Sequence, residues 1–445
     1  MLQVFANRTY RHLFLAQVIA LVGTGLATVA LGLLAYDIVG AEAGAVLGTA
    51  LAIKMIAYVG VAPVATAFAD RWPRRTMLVA LDLVRAAVAL LLPFVTQVWH
   101  VYALIFVLQS ASAAFTPTFQ ATIPDVLPDE KDYTQALSLS RLAYDMENLV
   151  SPVLAAALLS VISFHNLFAG TVIGFMASAA LVVSVTLPSP KAAERRGIYE
   201  RTTRGLRIYL ATPRLRGLLA INLAVAAAGA MVIVNTVVFV QARLGLTQQD
   251  TALALAAFGS GSMVAALLLP RLLENVPDRE VMLCGAALLV AALFSGPSIA
   301  QYESLLLLWF VIGLGYALAQ TPSGRLLRRS AQPEDRPAIF AAQFALSHAC
   351  WLLTYPLAGW LGAKASLEAS FMVLGIIASV AVFLAWRVWS ATDPDVLSHR
   401  HAEFANNNPH LAGDLRLDET GTHAHAFVID SHHSEWPAGV AEHKK

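Results

Sequence analysis

Glu147 stands in a largely apolar stretch, two residues past Asp145, one before Asn148, and with Arg141 further upstream. Arg141 and Asp145 are spaced i,i+4 and can pair on one helical face, which leaves Glu147 with no local partner. A carboxylate in a partly dry site titrates in the physiological range, so Glu147 is a candidate proton carrier. The competing reading is a solvated carboxylate at headgroup level. Lys54 raises the same question. It lies 16 residues before Asp70, about 24 Å along a helix. It is either a cation facing an internal cavity or a side chain reaching outward along its own stem. Asp82 and Arg85 are spaced i,i+3 and read first as a structural ion pair, second as translocation residues. His348, with Cys350, Gln343 and Tyr355 on neighbouring positions, offers borderline or soft ligands for a transition metal, a proton carrier, or simply a hydrogen-bonded packing residue.

A second cluster lies at the C-terminal end. Asp393 to Lys445 holds nine acidic residues, four basic ones and eight of the chain's twelve histidines. His399 and His401, His423 and His425, and His432 and His433 form close pairs that suit nickel, cobalt, copper or zinc, although the spacing matches no closed zinc finger. The alternative is a disordered, solvating tail, against which Phe427, Val428, Ile429 and Trp436 argue by predicting a docked segment.

The elements that would position these groups follow from composition. The 445 residues are 58% hydrophobic and only 13% charged, with a mean hydropathy of +0.64. A soluble chain carries about 25% charge, so lipid is the solvent for most of this surface. Twelve apolar runs are long enough to cross a bilayer as helices, at about 12–38, 44–68, 76–95, 99–123, 138–162, 166–187, 215–240, 250–270, 280–299, 303–322, 337–362 and 367–390. Lys and Arg collect in alternate connections, with eight basic residues between the sixth and seventh runs and only Arg243 and Lys364 on the other side. This predicts both termini in the cytoplasm of a bacterial-type inner membrane. The fold expected is an all-α membrane protein: a six-helix bundle over 1–190, a basic linker over 191–213, a second bundle over 214–390 and a histidine-rich tail, read as disordered, over 391–445. A net charge of +1 offers no field for nucleic acid. Cys284 and Cys350 sit in apolar runs and suggest no disulfide framework. No Walker A segment, nucleophile–base pair or cofactor fingerprint is present, so neither an enzyme nor a bound cofactor is expected.

An offset near 204 relates the two halves. Pro152 answers Pro356, Pro128 to Lys131 answers Pro333 to Arg336, and Asp70 answers Glu274. Repeated bundles with a site between them are a transporter design. Pro152 and Pro356 each remove a helical hydrogen bond inside a run and mark candidate bends. The sequence Ala69-Asp70-Arg71-Trp72-Pro73-Arg74-Arg75 after the second run, and Pro117 to Pro128 at the end of the fourth, resemble the major facilitator superfamily. Departures from its pattern are Ala67 and Trp72-Pro73 at usual glycine positions, and Ser151-Pro152 where its antiporters often carry Gly-Pro. The resemblance implies a secondary transporter working by alternating access, with Asp70, Arg71, Arg74 and Arg75 as a gating loop that latches onto the start of the eleventh helix. Its expected partners are the lipid bilayer, a small solute or metal ion, and a proton gradient. With the histidine-rich tail, the chain also resembles bacterial nickel and cobalt resistance permeases, which implies export of a divalent metal. Multidrug or siderophore efflux is the alternative, and a non-transporting membrane sensor or scaffold the alternative of another class.

Overall fold

In lipid the backbone must satisfy its own hydrogen bonds, and this chain does so almost wholly with helices. A computed structural model describes residues 2–69, 73–187, 198–332, 335–393, 396–400, 415–416, 422–429, 433 and 436. The first half holds α1 (Arg8–Val39), α2 (Ala43–Ala69), α3 (Arg74–Leu91), α4 (Val98–Val126), α5 (Glu130–Leu159) and α6 (His165–Val183). A connecting helix α7 (Ile198–Ala211) leads to α8 (Pro213–Val237), α9 (Gln248–Asn275), α10 (Asp278–Ser295), α11 (Tyr302–Gln320), the short α12 (Ser323–Arg329), α13 (Arg336–Lys364) and α14 (Leu367–Val388). Leaving out α7 and α12, the twelve expected helices are present. Among the described residues, ten stretches meet the length and hydropathy needed to cross a membrane, the first of them running through both α1 and α2. Within α5 the described apolar stretch is Val150–Leu159.

Helix starts are locally encoded. The Asn7 side chain accepts from the Tyr10 N–H at the head of α1, and Thr247 forms a reciprocal capping box with Asp250 at the head of α9. The α1–α2 turn bends at Gly40, whose φ of 59° and ψ of −125° suit a residue without Cβ.

The two halves repeat the same packing scheme. In the first, α1 packs on α5 and α6, and α3 and α4 pack on each other, with α2 on α4 and α3 on α6. In the second, α8 packs on α13 and α14, α10 on α11, α9 on α11 and α10 on α14. These are equivalent pairs in the twelve-helix order. Close approach depends on small residues, as expected where lipid supplies no drive to expel water. Thr171 Oγ1 donates to the Gly23 carbonyl at 2.8 Å where α6 crosses α1, and Gly261 and Gly313 face the backbone of the opposite helix where α9 crosses α11. The repeat extends to an ion pair with its charges exchanged. Arg74 at the start of α3 pairs with Asp125 at the end of α4; Asp278, 204 residues after Arg74, pairs with Arg325 of α12 at 3.2 Å.

Two segments are more structured than their composition suggests. The basic linker contains α7, which is seated on the second half. Gly205 lies against the Ala338 backbone, Arg204 pairs with Asp335 at 2.6 Å, and the Tyr209 hydroxyl donates to Gln343. Burial pushes the Tyr209 hydroxyl up, so it stays a proton donor. Part of the tail is described. Strands β1 (Val396–Arg400), β2 (Leu415–Arg416) and β3 (Thr422–Ala426) form an antiparallel sheet in the order β1-β3-β2. Leu397, Phe427 and Ile429 join the main apolar core. Trp436 packs over Arg214 at 5.2 Å, and Asp393 pairs with Arg329 and, at 3.6 Å, with Arg214. A few large apolar side chains thus find a prepared surface and offset the ordering cost of an otherwise polar segment.

Candidate functional site

Between the halves α2 lies against α13, and α5 against α9. The α2–α13 seam runs from Gly44 and Gly359 to Tyr58 and Phe344, roughly 21 Å of helix. At the end that carries the α1–α2 turn the two helices meet backbone to backbone. A Cβ on Gly359 would strike the Gly44 carbonyl, and one on Gly48 the Tyr355 carbonyl. Asn235 of α8 is fully buried beside this crossing, with Nδ2 donating to the Ala358 carbonyl at 3.0 Å and to Ser370 Oγ at 3.3 Å. Glu42 and Lys364 bridge the halves at the same end, 2.9 Å apart and both largely exposed. An exposed pair contributes ~0–1 kcal/mol. Glu42→Gln is therefore expected to leave thermal stability in detergent nearly unchanged, within about 1 kcal/mol; a larger drop would show that the closed end depends on this charge pair.

Beside the crossing a cavity of about 100 Å³ opens between α1, α2, α5, α8 and α9. Thr28, Gly32, Ser151, Pro152, Thr236, Thr251 and Phe258 are among its lining residues, and none of the fourteen described ones is charged. Thr236 Oγ1 is occupied, accepting from Trp309 Nε1 at 2.8 Å and donating to the Val232 carbonyl. Thr251 likewise accepts from Gln241 and donates to Thr247. Ser151 Oγ is buried and has no hydrogen-bond partner among the described residues, so it can receive a polar group of a solute. A second, smaller space of about 20 Å³ lies inside the first half, lined by Thr24, Thr28, Lys54, Gln109 and Ser112.

The structure brings together Lys54 and His348, which the sequence presented separately. Lys54 Nζ lies 5.9 Å from the Tyr58 ring centre, and Tyr58 stacks on His348 at 5.5 Å and meets the Phe344 ring at a tilt, 5.9 Å away. His348 Nδ1 lies 2.7 Å from the Phe344 carbonyl. A carbonyl only accepts, so Nδ1 carries the proton and Nε2 of the neutral ring is the free lone pair. Cys350 is buried on the same helix. Among the described residues no group of three or more His, Cys, Asp or Glu side chains is placed to hold a metal ion.

Asp82 and Arg85 lie elsewhere, deep within the first half. They pair with each other, Ser178 donates to Asp82 at 2.8 Å, and Arg85 is flanked by the Phe115 and Phe175 rings at 4.1 and 4.5 Å. Of the gating loop, Arg74 holds Asp125 and Arg75 donates to the Val183 carbonyl, whereas Asp70 and Arg71 lie outside the described residues. So do the side chains of Arg141, Asp145 and Glu147, although their backbone belongs to α5. Pro152 and Pro356 lie inside α5 and α13. In the tail, register places His399 across from His423 and Leu397 across from His425. His433 is buried beside the Phe427 ring at 4.6 Å. His401 and His432 lie outside the described residues. Ser151 and Asn235 escaped the sequence reading as site residues, although one of two amides in the apolar run 215–240 and a hydroxyl directly before a mid-helix proline were visible signals.

The fold has counterparts among known proteins. The family model described as Major Facilitator Superfamily matches residues 13–248 and 218–420. The MFS-type transporter YfiS of Bacillus subtilis is 22% identical over 333 residues, covering 71% of this chain and 78% of that protein. Macrolide efflux protein A of Streptococcus pyogenes is 28% identical over 152 residues, 32% of this chain and 37% of that one, so the match spans well under half of the relative. In three dimensions the chain is similar to a bacterial homologue of the human lysosomal transporter Spinster in an inward-facing, unoccupied conformation, with a TM-score of 0.68 at 12% identity over 86% of this chain and 98% of the other. The nucleoside transporter NupG gives 0.63 at 15% identity over 85% and 98%. On the family match over most of its length, this chain belongs to the major facilitator superfamily and is a membrane transporter of small solutes.

Proposed function

We propose that this transporter exports an uncharged or weakly polar small molecule of the multidrug or siderophore type from the cytoplasm, driven by a proton counterflow. The observation that carries the reading is the seam cavity, whose fourteen described lining residues include no charged side chain and, in Ser151, one hydroxyl without a partner among the described residues. Such a lining selects apolar surface with few polar groups. The likeness to macrolide efflux protein A supports the same substrate class. Direction rests on the basic residues of the connections, which favour the end bearing both termini as the cytoplasmic one in a bacterial-type inner membrane. Closure at the opposite end then corresponds to a conformation ready to load from inside. Glu147 and His348 are the proposed proton carriers, Lys54 a cavity cation, and Arg141 and Asp145 the pair beside Glu147. Asp70, Arg71, Arg74 and Arg75 form the proposed latch. Divalent nickel or cobalt as cargo remains the second reading, favoured by the tail histidines alone.

Flux into everted vesicles tests both. A fluorescent macrolide is expected to accumulate only with an inward-acid gradient, and Glu147→Gln is expected to lower that accumulation at least about tenfold. Gradient-driven uptake of nickel or cobalt without macrolide uptake would transfer the assignment to metal export, and uptake of neither would overturn the exporter reading.

A further inference from the structure

Thr28 of α1 lines two spaces at once, the seam cavity and the smaller pocket inside the first half. The described lining of the seam cavity is apolar apart from Thr and Ser hydroxyls. The smaller pocket differs: Thr24, Thr28, Lys54, Gln109 and Ser112 gather there among Ala, Leu, Ile and Phe side chains.

These polar groups share a direction. Thr24, Thr28 and Ser112 each donate to a carbonyl one turn back in their own helix, at 2.9, 3.0 and 3.1 Å, so their oxygens have only lone pairs left to offer. Gln109 is 8% exposed, and its Oε1 is buried with no hydrogen-bond partner among the described residues. A buried acceptor without a donor is costly. The pocket therefore calls for a hydrogen-bond donor.

Space and charge narrow the choice of donor. About 20 Å³ is room for one water-sized group. A carboxylate or phosphate is larger and only accepts, leaving Gln109 Oε1 unmet. A metal ion or ammonium group is repelled by Lys54, the single charged side chain among the described lining residues. A hydroxyl fits both demands, because it donates to Gln109 Oε1 and accepts from a second neighbour. Water has the same chemistry, and a solute seated in the adjoining cavity brings a hydroxyl that replaces it.

We infer that this pocket is a hydroxyl subsite of the seam cavity. On the exporter reading, on which this rests, the solute class is an apolar body bearing an alcohol; the body lies against the seam lining and the hydroxyl reaches past Thr28 to Gln109. Gln109 then sets selectivity, since a buried acceptor matched to a donor rejects an analogue lacking it far more sharply than an apolar wall rejects a change of size.

Three dansylamides test this, with hydroxypropyl, propyl and methoxypropyl substituents, bound to the purified full-length chain in detergent and followed by dansyl fluorescence. The hydroxypropyl probe is expected to bind at least about fivefold tighter than the propyl probe. The methoxypropyl probe, which accepts but cannot donate, is expected to bind no tighter than propyl. Gln109→Met, close to glutamine in shape, is expected to erase the preference while leaving propyl affinity unchanged, which also reports an intact cavity. Equal affinities in the wild type, or methoxypropyl matching hydroxypropyl, would leave the pocket to water and overturn the subsite without recourse to any variant. Absence of binding by all three counts the same way. A preference that survives Gln109→Met would also overturn it, and disappearance of that preference in Ser151→Ala would then place hydroxyl recognition in the seam cavity. Loss of gradient-driven macrolide uptake alongside an intact preference would count against the exporter alone; the reverse pattern would count against the subsite alone.

Discussion

Gly359→Ala is expected to lower solute flux at least about tenfold while leaving the protein folded. The added Cβ would overlap the Gly44 carbonyl and crowd Ala45 Cα. Both obstacles are backbone, so no side chain can rotate away. The only relief is separation of α13 from α2, and with it of the halves at their closed end. Gly48 faces the Tyr355 carbonyl in the same way, and a Cβ on Gly44 would come within 2.8 Å of Asn235 Oδ1. A tenfold effect needs only about 1.4 kcal/mol against the closed arrangement, a modest sum for an overpacked crossing. Gly60→Ala is the control, because nothing lies within 4 Å of its added Cβ. Flux gives the first readout. The second is maleimide labelling of Thr28→Cys in a Cys284→Ser, Cys350→Ser background, applied from the side of the α1–α2 turn, which is expected to rise in Gly359→Ala and stay low in Gly60→Ala. Unchanged labelling together with normal flux would show that this crossing does not gate access.

Arg85→Ala is expected to cost about 3–5 kcal/mol of stability, because it leaves the Asp82 carboxylate buried without its counter-charge. Asp82 is fully buried and Arg85 nearly so. The one other bond that the carboxylate accepts among those seen, from Ser178, does not balance a charge. Arg85 also fills the space between Phe115 and Phe175, so its removal adds a packing loss. Thermal unfolding in detergent reads the effect as a large fall in Tm. Asp82→Asn combined with Arg85→Met removes both charges and keeps most of the volume, and is expected to recover most of the loss. A single-variant loss below about 1 kcal/mol would show that water reaches the pair. The double variant also decides between the two roles open to these residues: flux retained in the recovered protein marks the pair as structural, whereas a folded but inactive protein places it in the translocation path.

The pairing of Asp82 with Arg85 was legible because i,i+3 spacing is a local property of any helix. The same holds for the Thr247 cap and for Pro152 and Pro356 within their helices. The charge-exchanged ion pair of the second half was less visible. Asp278 follows Arg74 at the repeat offset, but its partner Arg325 stands on the additional short helix α12, and strict spacing does not find it. Tail docking was half legible: Phe427 and Trp436 were conspicuous among polar neighbours, yet Trp436 meets Arg214 of α8, remote in the chain.

The sequence by itself determined the lipid environment, the twelve helices, their alternating connections and the duplication, because each depends on hydropathy or charge averaged over about 20 residues, and such averages survive any change of neighbours. Only the tertiary structure decided that Lys54 and His348 share Tyr58 across the seam, that Gly44 must meet Gly359, that Ser151 faces a cavity, and that β1 pairs with β3. Those outcomes depend on contacts of a few ångströms between segments dozens to hundreds of residues apart, where shape and register select the partner and hydropathy does not distinguish among candidates.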